Sequence, residues 1–131
     1  YTCFLSEDAR AVIGKVHTHT EPALNMLKSE GFSYQGYVDI FDAGPAVECE
    51  TSKIRAVRDS EALVLAIGTP GDDATPYLMH NRKREDCRIT AAPARMAAGT
   101  LVVDPQTAKR LRLVVGDQVR AVPLSAARES K

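Results

Sequence analysis

The stretch that most constrains this chain is residues 13–50. It reads as a polar loop with two histidines, a capped helix, a glycine stop and a strand closed by an acidic turn. Thr20 stands as a natural N-cap, Glu21 suits the positive end of the helix dipole, and Pro22 loses nothing by lacking an N–H in the first turn. Ala23, Leu24 and Leu27 form a short apolar stripe with Met26 beside it, and Gly31 offers the left-handed position just past the helix end. From Phe32 the composition turns aromatic and β-branched through Tyr34, Tyr37, Val38, Ile40 and Phe41, which predicts a strand over about residues 33–41. Asp42-Ala43-Gly44-Pro45 supplies turn chemistry, and the alternation from Ala46 to Glu50 predicts an antiparallel partner strand.

Ahead of this unit, residues 1–5 suggest a short strand. Ser6 caps a helix with Glu7 and Asp8 in its first turn and Ala9, Val12, Ile13 and Val16 at helical spacing, weakened at its end by Gly14. Residues 16–20 then connect two helices, placing His17 and His19 at a junction. Residues 52–59 read as strand or irregular, 62–67 as a buried strand, and 68–76 (GTPGDDATP) as the clearest loop. Strands are expected over 77–80, 87–90 and 101–103. Asp104 caps a short helix opened by Pro105, and Gly116-Asp117 turns into a last strand over 118–124. Strand, short helix, Gly-Asp, strand is a pattern of small cradle-like β-barrels, which serve enzymes and DNA-binding regulators alike.

With 131 residues, there is room for one compact domain or two very small ones. Lys+Arg and Asp+Glu both number 17, so no global charge favours nucleic acid or an anionic membrane. No apolar run approaches the roughly 20 residues of a spanning helix. Cys3, Cys49 and Cys87 are odd in number and widely spaced, which speaks against a disulfide framework or a Cys-x-x-Cys metal site and suits a reducing cytoplasm.

A helix ending in Leu-Lys-x-Glu-Gly-Phe (27–32) before an aromatic strand resembles the last helix and strand of the acyl-CoA N-acyltransferase fold. The match becomes more specific in Val-Ile-Gly-Lys-Val-His (12–17), Pro-Ala-Leu (22–24), Gly-Tyr-Val-Asp-Ile-Phe-Asp-Ala-Gly-Pro (36–45) and Ile-Arg-Ala-Val-Arg (54–58). Together these resemble the C-terminal part of the arginine N-succinyltransferases, densely over residues 1–60 and more weakly to about residue 124. The fold expected is therefore α+β. Residues 1–60 would be the C-terminal portion of an acyltransferase-like mixed sheet with helices, and 61–131 a small β-rich, barrel-like module.

The resemblance implies a bacterial, cytoplasmic enzyme that moves succinyl from succinyl-CoA to the α-amine of L-arginine, the first step of an arginine-degradation route. No metal and no prosthetic group is implied; succinyl-CoA is a co-substrate. The chain opens on Tyr1, inside sequence that the family carries internally, and lacks the Arg/Gln-x-x-Gly-x-Gly/Ala loop with which acyl-CoA transferases cradle pyrophosphate. It would therefore work with an N-terminal portion or partner subunit of the same enzyme and be inactive without it. A bare sheet edge would also let it pair with a second copy. The alternative is a non-catalytic interaction or regulatory module built on residues 62–124. Balanced charge speaks against its DNA-binding version, which clustered Lys and Arg would require.

N-acyl transfer needs a proton taken from the amine and one given to the departing thiolate, and histidine can serve either step near neutral pH. By resemblance His17, in the context Gly-x-Val-His, is the family's proton donor to the CoA sulfur, although Thr18 follows it where the family carries proline. A guanidinium pairs with carboxylates in a planar fork, so Asp39 and Asp42 are the candidates for holding arginine. Of the two, Asp42 suits the turn ahead of a ligand role, since at a strand end its carboxylate can cap backbone N–H groups. Asp39 alternates with Tyr37 and Phe41 and would share their face. Arg55, Arg58 and Arg88 read either as ligands of the succinyl carboxylate or CoA phosphates, or as surface charge. His19 and His80 read as surface residues, and Arg82-Lys83-Arg84 is neutralised by Glu85 and Asp86.

Overall fold

In the computed structural model, which describes residues 2–41 and 43–125, the chain divides into two units, Tyr1–Arg55 and Ala56–Lys131. The first begins with a 3-10 turn, Thr2–Phe4, where a strand was expected. Ser6 Oγ accepts from the Ala9 amide at 3.2 Å and opens helix α1, Glu7–Val12. The helix stops before Val16 because Gly14 takes φ +73° and its amide donates instead to the carbonyl of Ala43 at 2.8 Å.

Helix α2, Glu21–Ser29, follows a 3-10 turn at Thr18–Thr20. The Thr20 hydroxyl does not cap it; it donates back to the His17 carbonyl at 2.9 Å. The helix ends as its sequence requires. Gly31, at φ +103°, donates to Lys28 O, and Phe32 donates to Leu27 O at 3.1 Å. This pair of bonds is a Schellman closure, which needs a left-handed residue at the Gly31 position.

Strand β1, Ser33–Val38, pairs antiparallel with β2, Pro45–Glu48, in the register Tyr34↔Val47 and Val38↔Pro45. The strand ends three residues earlier than its composition suggests. Asp39 Oδ1 accepts from the Phe41 amide at 2.7 Å, and the Asp39 amide donates to Gly44 O, so the turn begins at Asp39. Phe41 therefore lies in the turn, not on a face shared with Asp39. Residues 52–59 are neither strand nor irregular. A 3-10 turn at Thr51–Lys53 precedes helix α3, Arg55–Arg58.

The second unit is a closed five-stranded barrel of β3 (Glu61–Ile67), β4 (Thr75–His80), β5 (Ile89–Ala97), β6 (Thr100–Val103) and β7 (Gln118–Pro123), ordered β3-β6-β5-β4-β7. Only β3 and β6 run parallel, with Leu65 opposite Leu101. The apolar run in β3 is buried on one side alone: Leu63 and Leu65 face the core, whereas Val64, on the opposite face, is exposed. Leu65, Met79, Leu101, Val103 and Val119 build that core, joined by Ala108 and Leu111 of helix α4, Pro105–Leu111.

Asp104 caps α4 as its position before Pro105 predicts, accepting from the Gln106 and Thr107 amides at 2.8 and 3.0 Å. The Thr107 hydroxyl, its amide and the Gln106 amide hold the Asp104 carboxyl below its ordinary pKa, against a smaller opposing effect of burial. A carboxylate whose pKa falls on folding stabilises the fold fully above its unfolded value, about 3.9. That contribution is lost as the pH falls through the lower folded value. Asp104→Ala should cost about 1 kcal/mol at neutral pH. The gap to the parent protein should close as urea melts are taken below about pH 4; a gap independent of pH would contradict the cap.

Candidate active site

His17 sits where α1 has ended and α2 has not begun, and local backbone chemistry fixes its ring. Its carbonyl accepts from the amides of Thr20 and Glu21 and from the Thr20 hydroxyl. Its Nδ1 accepts from the His19 amide at 3.2 Å, and the His19 ring stands edge-on to it, with centroids 4.9 Å apart. With Nδ1 used as an acceptor, the neutral ring carries its proton on Nε2. The ring is exposed and borders a cleft of about 390 Å³.

The cleft is the product of the helix–strand unit. Ala23, Leu24 and Leu27, the apolar stripe of α2, form one wall, and Gly44, Pro45 and Val47 of the turn and β2 form another. Lys15 brings a cation beside His17. Gly14 ties the histidine segment to the turn, and a Cβ there would lie 3.2 Å from Val38 Cγ1 at a backbone angle L residues avoid. Gly14→Ala should loosen the segment by about 1–2 kcal/mol, which is about a tenfold faster amide exchange over residues 15–20. Barrel amides should be unaffected; unchanged exchange at 15–20 would show that the glycine is not needed.

Asp39 is exposed and does not line this cleft; its carboxylate accepts from the Phe41 amide in the turn that carries Gly44 and Pro45. Asp42 lies outside the described residues. The arginines are engaged elsewhere. Arg55 is buried and donates from Nε and Nη2 to Glu30 Oε1 at 2.9 and 2.7 Å, and its amide donates to the Glu30 carbonyl. Glu30 thus clasps Arg55, a pairing over 25 residues that no local pattern signals. Arg58 pairs with Asp59 at 2.6 Å and Arg88 with Asp86 at 2.9 Å. Among the described residues no three His, Cys, Asp or Glu side chains converge as a metal ion would need.

Residues 1–56 match the family described as arginine N-succinyltransferase beta subunit, and residues 60–123 match the C-terminal domain of that same beta subunit. The chain belongs to this family. A Pseudomonas aeruginosa relative, arginine N-succinyltransferase subunit beta, is 81% identical over 126 residues, covering 96% of this chain and 37% of the relative. An arginine N-succinyltransferase of Yersinia enterocolitica is 42% identical over 133 residues, covering all of this chain and 39% of its own. The solved arginine/ornithine succinyltransferase subunit AI of Pseudomonas aeruginosa superposes with a TM-score of 0.81 at 30% identity, over 96% of this chain and 38% of that one. The chain therefore spans well under half the length of these arginine N-succinyltransferase relatives.

Proposed function

We propose that this chain is the C-terminal segment of an acyltransferase that moves succinyl from succinyl-CoA to the α-amine of L-arginine, with His17 as its proton-transfer group. The observation that carries the reading is an anchored imidazole with Nε2 uncommitted at the mouth of a cleft, in a chain of this family. In the reaction the amine nitrogen forms a bond to the thioester carbonyl carbon, the C–S bond breaks, and the amine loses a proton as sulfur gains one. For the ring to deliver Nε2–H to sulfur and remain neutral, Nδ1 takes up the proton that the amine releases. That exchanges the 3.2 Å bond from the His19 amide, a neutral hydrogen bond worth about 1 kcal/mol. Asp39 then serves by shaping the turn, so that Gly44 and Pro45 face the ring's cleft.

The first unit supports a partnered enzyme. Among its described residues no apolar side chain is buried, and Ile40 and Phe41 are 87% and 92% exposed. A two-stranded hairpin with such faces needs further layers to be stable. We assign that role to the remaining portion or partner subunit of the enzyme. The test is the native particle. Purified from its source, the chain should travel with that portion and release CoA thiol only when arginine is present; a chain found alone and active by itself would overturn the reading.

The closed barrel has its own core, which favours a separate interaction role for residues 62–124 as the second reading. Salt-dependent DNA binding would support a regulatory version, and the enzyme reading expects none.

A further inference from the structure

The outer face of the barrel carries a second pocket, lined by residues of the second unit alone. On β4 and β7, His80 lies opposite Arg120 and Leu78 opposite Val122; on β5, Ile89 lies opposite His80. Cross-strand partners share a face, so Ile89, His80 and Arg120 form one row and Leu78 and Val122 belong to the next. With Val57, these residues line a pocket of about 290 Å³ whose walls are mostly apolar and include no acid.

Arg120 is preset in it. Its Nε donates to Ser60 Oγ at 2.7 Å and its Nη2 to the Ser60 carbonyl at 3.1 Å, both partly buried. No carboxylate pairs with it, and Nη1 has no partner among the described residues. His80 Nδ1 accepts from the Arg82 amide at 3.1 Å, so the neutral ring presents its proton on Nε2. Burial, then the positive charges of Arg120 and Arg82, lower the His80 pKa and keep the ring uncharged at neutral pH. The pocket thus offers one guanidinium without a counter-charge, one neutral N–H donor, and an apolar wall.

From the unpaired Arg120 beside His80 in an apolar, acid-free pocket, we infer that the barrel binds a small monocarboxylate with a short apolar body. Two donors suit the two oxygens of one carboxylate. A phosphate dianion has more acceptors than this pair serves, and an uncharged analogue leaves the guanidinium uncompensated. The pocket shares no lining residue with the His17 cleft, so failure of this inference leaves the acyltransferase reading standing, and the reverse also holds.

The test is an NMR titration of the full chain with butanoate, butanamide and inorganic phosphate. Butanoate should shift the Leu78, Ile89 and Val122 methyls and Arg120 Nε–H together and saturably, while butanamide and phosphate should bind at least tenfold more weakly. Arg120→Gln should weaken butanoate at least tenfold. Ile89 is 66% exposed, so Ile89→Glu, which sets a competing carboxylate beside His80 without touching the core, should do the same if Arg120→Gln disturbs folding. Equal binding of butanamide or phosphate, unchanged affinity in Ile89→Glu, or shifts spread evenly over the surface arginines would overturn the inference.

Discussion

His17→Ala, made in the assembled enzyme, should lower turnover by about 10²–10⁴-fold, the range for a lost general acid–base group. The KM for succinyl-CoA should stay nearly constant. The asymmetry follows from the site. The imidazole stands at the rim of a cleft whose walls are built from α2 and the Gly44-Pro45 turn, so removing the ring leaves those walls in place. An effect confined to turnover marks an interaction used in the chemical step, whereas a rise in KM alone would mark plain binding. His17→Gln keeps an acceptor near the His19 amide without a transferable proton and should be as slow as alanine. Turnover within a few-fold of the parent in either variant would remove His17 from the mechanism.

Asn81→Ala should be the most damaging polar substitution in the barrel, costing about 3 kcal/mol because several partners lose their bonds together. Asn81 is 3% exposed, and every hydrogen-bonding position of its amide is filled. Nδ2 donates to the Asp86 and Leu111 carbonyls at 2.8 and 3.0 Å, and Oδ1 accepts from the Lys83 and Arg88 amides at 3.2 and 3.1 Å. One side chain thereby ties the β4–β5 loop to the last turn of α4. Asn81→Asp should be worse, since it sets a carboxylate oxygen against two carbonyls. Urea melts followed by circular dichroism measure both; a loss below about 0.5 kcal/mol would show that solvent replaces the bonds.

Local chemistry was the part of this fold that the sequence carried. The α2 stripe with its glycine exit, the Asp104 cap before Pro105, the Ser6 cap and the antiparallel β1–β2 pair all depend on neighbours within a few residues. The strand–helix–Gly-Asp–strand tail pointed to a barrel, and the barrel is closed. What the sequence hid depends on distant partners or on competition between near ones. Thr20 has the composition of a cap, but the His17 carbonyl claims its hydroxyl. Asp39 reads as a strand residue, yet its carboxylate reaches the Phe41 amide and starts the turn early. Arg55 reads as a ligand of the succinyl carboxylate or CoA phosphates or as surface charge, but Glu30, 25 residues away, holds it. Asn81 and Arg120 gave no local signal, because the one bonds across the barrel and the other reaches back 60 residues to Ser60. At the candidate site, His17 came from a motif, while its cleft came from bringing α2 against the turn.

The most direct test of the central claim is CoA thiol release by the enzyme assembled from this chain and the remaining portion found in its relatives. With succinyl-CoA and L-arginine together, thiol and N-succinylarginine should form one for one, and omitting arginine should abolish both. Thiol release that ignores arginine, or a succinyl group found on the guanidinium and not on the α-amine, would contradict the account.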